Sequence, residues 1–186
     1  MTAARKYLKG QLLLDSGQLV GSFFQRTVVL ICQHDAEGAF GLVLNKGSGS
    51  TVGDVVLEDL PEAVKDSQLY VGGPVQPTAV SYLLLDDEDA GSLVIPRVSL
   101  GHSLEDLEEA GKIDDMAGKI RLFAGYAGWS ANQLEDEIKR DAWLTHPATV
   151  ELVFNRDPEN LWQAVLKTKG WRYKILAQMP EDPSSN

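Results

Sequence analysis

Cysteine is nearly absent: Cys32 is the one thiol in 186 residues. No disulfide can form within the chain, and the composition fits a reducing compartment. The neighbours Val28, Val29, Leu30 and Ile31 are apolar, which predicts a buried thiol with nothing nearby in sequence to activate it. Basic residues are also scarce, 17 Lys and Arg against 27 Asp and Glu, for a net charge of −10. Nucleic-acid binding draws chiefly on phosphate neutralisation, so direct DNA binding is disfavoured. An anionic membrane surface is disfavoured for the same reason. No apolar run approaches the roughly 20 residues that span a bilayer, and the three leucines after Lys9 are too few for a signal-peptide core. The expectation is a soluble cytoplasmic protein with no membrane partner.

Several catalytic and cofactor signatures are missing as well. The three histidines, His34, His102 and His146, lie at no zinc-binding spacing and read as surface or loop residues. There is no Gly-x-Ser-x-Gly elbow, and no serine looks activated. The loop Asn45–Ser50 has glycines but lacks the Lys-Ser/Thr ending of a P-loop and the third glycine of a dinucleotide fingerprint. The acidic residues at 86–89, with Glu105, Asp106, Glu108, Glu109, Asp114 and Asp115, fit no EF-hand spacing and read as solvated surface. No catalytic residue, metal or cofactor is assigned.

Strand patterns dominate what remains. Gln11–Leu14 and Leu69–Val71 read as short strands, and Ala79–Leu85 as a longer one. Arg26–Gln33 is β-branched and aliphatic enough to be buried on both faces. His34–Gly38 turns it into Ala39–Leu44, a hairpin. Val94-Ile95, Thr149–Phe154 and Trp171–Leu176 read as further strands. Helices are predicted over Val52–Leu60, from Ser103 towards Gly111, from Ser130 to the stop at His146-Pro147, and after Asp157-Pro158. The last carries a stripe of Leu161, Trp162, Val165 and Leu166 and ends before Gly170. Without repeats or linkers, residues 1–179 form one α+β domain, and 180–186 a disordered tail.

The stretch from Ile120 to Ile138 is the most distinctive. An apolar run, Ile120–Phe123, breaks on Gly125 and Gly128, each beside an aromatic residue, Tyr126 and Trp129. A helix follows with Ser130 as cap, Gln133 completing a capping box, and Leu134 and Ile138 on one face. Gly72-Gly73-Pro74 is a second glycine turn requiring positive φ or close packing. Two readings stand side by side. In one, both turns are tight strand ends and Trp129 is core. In the other they meet in a pocket floored by backbone amides and walled by Tyr126 and Trp129.

These segments together resemble the YqgE/AlgH family of bacterial proteins. The matching runs are Gly10–Leu13, Phe24 with Arg26–Leu30, and Gly38–Asn45. Tyr70–Val75, Phe123 with Gly125–Trp129, Gln133-Leu134, Glu137 and Trp143 follow in order. The resemblance implies a cytoplasmic α+β protein with a bifurcated, mixed sheet that includes a small barrel surrounded by helices. One branch of the family is called a transcriptional regulator, of alginate production. The family pattern has glycine where this chain has Asn132, at a helical position that requires neither residue. The expected function is a non-enzymatic regulatory or binding protein acting through an unknown protein or small ligand. Its surface is expected at Arg26, Asn45, Gly72, Gly73, Pro74, Gly125, Tyr126, Gly128, Trp129, Gln133 and Glu137. The alternative is an enzyme acting on a nucleotide or other anionic metabolite at the Gly-Tyr-Ala-Gly-Trp turn, with Glu137 as general base.

Overall fold

The computed structural model describes residues 7–57, 59–86, 93–109 and 118–181. Ten strands are present among them: β1 Gln11–Asp15, β2 Val28–His34, β3 Gly38–Val43, β4 Gly47–Thr51, β5 Gln68–Val71, β6 Val75–Leu85, β7 Leu93–Ile95, β8 Val98–Gly101, β9 Ile120–Ser130 and β10 Trp143–Pro147. Six helices accompany them: α1 Glu62–Lys65, α2 Leu104–Glu109, α3 Gln133–Lys139, α4 Val150–Val153, α5 Leu161–Leu166 and α6 Trp171–Gln178. The main sheet path runs β10-β1-β2-β3-β9-β6-β8-β7 and curls into a half-barrel. The class is α+β, as expected.

The fork in the sheet lies at β9. Its later half, Ala127–Ser130, pairs antiparallel with Gly41–Gly38 of β3. On the other half, Phe123 and Ala124 pair in parallel with Tyr70 and Val71 of β5. Strand β6 takes the opposite edge. Between the halves sits Gly125 at φ +71, a conformation that costs an ordinary side chain about 1–2 kcal/mol. So β9 serves two sheets with one bend.

Both faces are packed, which explains the near-continuous apolar run of β2. Val28, Leu30 and Cys32 face a core closed by α4, α5 and α6 through Val153, Trp162, Val165, Leu166 and Ala177. Val29 and Ile31 face a second core with Trp129, Trp143 and Leu134 of α3. A third core under α1 and α2 gathers Val64, Leu69, Tyr82, Leu104 and Leu122.

Five expectations are corrected. The supposed aromatic-glycine turn at 125–128 is strand, because Tyr126 pairs with Val75 of β6 and Ala127 and Gly128 pair with Gly41 and Phe40 of β3. The Gly/Ser stretch after Lys46 is β4, paired with β5 through a bulge, and only a short 3-10 turn, Val52–Asp54, follows it. Trp143–Pro147 is an edge strand on β1, where a terminal proline costs no ladder bond. Thr149 caps a helical turn instead of opening a strand: its hydroxyl accepts from Leu152 N–H at 3.3 Å. Val150, Val153 and Phe154, three and four apart, all face the core. Trp171–Gln178 is helical for the same reason, since Tyr173, Leu176 and Ala177 form its inner stripe. The expected acidic turn at 87–89, the end of the helix near 111, and tail residues 182–186 lie outside the described residues.

Candidate functional site

Glu137 organises the neighbourhood of the opening motif. Its Oε2 accepts from the indole N–H of Trp129 at 2.9 Å and of Trp143 at 2.7 Å. Its Oε1 accepts from the Gln133 amide at 3.0 Å. Gln133 Oε1 reaches back to accept from Ser130 N–H and its hydroxyl. This is half of the expected capping box, although Ser130 ends a strand and the helix begins only at Gln133. The two tryptophans are 6.2 Å apart and edge-on, with Phe24 against both, and they are nearly fully buried. Three donors already occupy this carboxylate, which leaves it few lone pairs to offer a substrate. Glu137 ties α3 to β9 and β10, and the geometry argues against it as a general base.

The two glycine segments do meet, as one of the two readings expects, but they fill each other. Gly72 N–H donates to Ala124 O at 2.9 Å and Gly72 O accepts from Val43 N–H at 2.8 Å. A Cβ at Gly73 would overlap the backbone of Tyr126, and one at Gly125 would stand 2.5 Å from Gly73 O. Neither Gly72 nor Gly73 has positive φ; close approach is their whole requirement. Pro74 and Gly128 are exposed beside them. Tyr126 and Trp129 lie three apart on a strand and so take opposite faces. Tyr126 stacks on Phe40 at 4.9 Å, in a different core from Trp129. They do not wall one pocket. Asn132, at φ +67, is left-handed, so this position, contrary to expectation, does favour glycine or asparagine.

Arg26 and Asn45 come together elsewhere. Asn45 Oδ1 accepts from Val28 N–H and its amide donates to Arg26 O, both at 2.8 Å. Buried Asp15 accepts from the backbone N–H of Arg26 at 2.8 Å and of Gly17 at 2.8 Å, fixing the loop that presents Arg26 at φ +55. The Arg26 guanidinium lies 5.1 Å over the Trp162 ring and donates to Met179 O at 2.6 Å. Lys46 Nζ sits 4.3 Å over the Phe23 ring. Burial pushes the Lys46 pKa down, with Glu181 opposing. With Gln25, Glu159, Trp162 and Glu181 these residues line a cleft of about 290 Å³. The chain's C-terminal segment crosses it, Glu181 O accepting from Gln25 at 3.2 Å.

Lys46 and Trp162 were illegible as site residues: the first sits in a stretch that looks like plain loop, the second in a plain core stripe. His34 is buried, not superficial, and its Nδ1 accepts from Leu8 N–H at 3.0 Å. His102 shares a 2.9 Å hydrogen bond with Ser81, whose residue is 4% exposed. His102 itself is exposed, as expected of a surface residue. Burial also drives the Cys32 thiol pKa far up, which makes it inert. Among the described residues no group of three or more His, Cys, Asp and Glu is placed to hold a metal, and no helix is long and apolar enough to cross a membrane.

A family model described as AlgH-like matches residues 12–174. A UPF0301 protein of Chlorobaculum tepidum is 38% identical over 192 residues, covering 100% of both chains. One of Cytophaga hutchinsonii is 35% identical over 188 residues, 96% of this chain and 98% of its own. Among solved structures, the AlgH protein from Pseudomonas aeruginosa superposes with a TM-score of 0.72 at 28% identity, covering 97% of this chain and 98% of its own. A Corynebacterium diphtheriae protein shares the fold alone, with a TM-score of 0.78 at 24% identity over 94% and 93% of the two chains.

Proposed function

The chain belongs to the AlgH-like family, and from that premise we propose a non-enzymatic, cytoplasmic regulatory or binding protein whose ligand surface is the Arg26–Asn45 cleft. One observation carries the reading. Two cations, each laid over an aromatic ring, share a cleft with an asparagine that locks the backbone behind them. Cations held on a fixed frame favour an anionic ligand or an acidic segment of a protein partner. Glu159 and Glu181 stand in the same cleft, and the C-terminal segment bonded to Arg26 and Gln25 is what a ligand displaces. A transcriptional role of the kind attached to one branch of the family would run through such a partner, since net charge opposes direct contact with DNA. Glu137, held by three donors, supports no catalytic counterpart to this reading.

Thermal-shift titration with small organic anions tests it, comparing wild type with Arg26→Ala and Lys46→Ala. The expected result is a concentration-dependent rise in Tm for at least one anion, reduced in both variants and unaccompanied by turnover. Stabilisation unchanged in both variants contradicts the assigned cleft, and turnover contradicts the non-enzymatic assignment. Specific DNA binding in a low-salt gel shift would contradict the indirect route.

A further inference from the structure

Arg121 sits in the first half of β9, away from the Arg26 cleft and sharing no residue with it. Its guanidinium carbon lies 5.0 Å from the Tyr70 ring centre and 5.9 Å from that of Phe154. One terminal nitrogen, Nη2, donates to the Asn155 carbonyl. The other, Nη1, is buried and has no hydrogen-bond partner. A buried donor on a charged group left unmatched is costly, and folded proteins keep few of them.

A cleft of about 330 Å³ opens over this guanidinium, bordered by Gln68, Tyr70, Phe154, Asn155 and Arg156. Arg156 is exposed at its mouth. Acids outnumber bases 27 to 17 in the chain, yet among the described residues the cleft is lined by two arginines and no carboxylate. Burial lowers the Arg121 pKa, the direction expected of a cation without a counter-ion. The guanidinium lines the cleft beside the two aromatic rings, and a fork of N–H donors matches tetrahedral oxyanions in two-point fashion.

We infer that this cleft binds the phosphate group of a small molecule, with Arg121 as its base and Arg156 closing over the second charge. Two guanidinium groups suit a dianion better than a carboxylate. The volume leaves room for an organic portion beyond the phosphate.

The test is a titration of the full chain with inorganic phosphate, read by the arginine side-chain N–H signals in NMR and by Tm. Acetate at equal ionic strength serves as the carboxylate control. Wild type is expected to saturate and gain Tm. Arg156→Ala, a surface change that leaves the fold intact, should weaken binding about tenfold. Arg121→Gln, with its fold checked by circular dichroism, should abolish it. The proposal is overturned if wild type does not saturate, if Arg121→Gln and Arg156→Ala both bind unchanged, or if acetate binds as tightly as phosphate. Loss in Arg26→Ala alone would place the anion in the other cleft.

Discussion

At the scale of single residues, the side chains that look most functional in the sequence are structural in the fold. Glu137 is the best case. Truncating it to alanine strands two buried indole N–H groups, each costing about 1–3 kcal/mol. Urea denaturation of Glu137→Ala should therefore show a loss of about 2–4 kcal/mol, with Glu137→Gln intermediate because one carbonyl acceptor survives. A loss under about 0.5 kcal/mol would mean that the indoles find other partners. Asn132 makes the opposite kind of prediction. Its left-handed backbone suits glycine, so Asn132→Gly should be neutral within about 0.5 kcal/mol, whereas Asn132→Ala should cost about 1 kcal/mol. Equal stability of the two variants, again by denaturation, would contradict the assigned backbone.

At the scale of elements, the fork in β9 explains why glycine is required at Gly72, Gly73 and Gly125: three backbones converge where β3, β5 and β6 share one strand. Gly73→Ala forces a methyl into the Tyr126 carbonyl region, and thermal or urea unfolding should show a loss of about 3 kcal/mol or more. Gly21→Ala is the control. Gly21 has φ +76 and open space around it, so it should lose only about 1–2 kcal/mol. The strands with strong β-branched runs, β2 above all, were legible because burial on both faces leaves a local signature. The fork was not. Nothing local says that Ala127–Ser130 will find β3, and glycine beside an aromatic residue reads as a turn until a ladder partner is known. Helix α4 carries a misleading local pattern for a related reason: Val150, Leu152 and Phe154 alternate by accident, while the packing that decides comes from Val153 and from the sheet. The residues of the opening motif were legible as a group, but not the division of labour among them.

At the scale of the whole molecule, the family and the α+β class were readable because motifs from Gly10 to Trp143 recur in order, and order survives even where single elements are misread. The clefts were not readable, since each collects residues far apart in sequence. Arg26 and Asn45 meet Trp162, and Arg121 meets Tyr70 and Phe154. Both clefts carry arginine in a chain of net charge −10, which concentrates attraction for anions at a few points on an otherwise repelling surface. The proposed division is that the glycine-aromatic motif builds the frame while the Arg26–Asn45 cleft beside it binds. Affinity capture from a bacterial lysate tests that division most directly, using immobilised wild type, Glu137→Gln and the Arg26→Ala/Lys46→Ala double variant below their unfolding temperatures. The account predicts a small molecule or protein held by wild type and Glu137→Gln and lost from the double variant. A species lost from Glu137→Gln and kept by the double variant would contradict it.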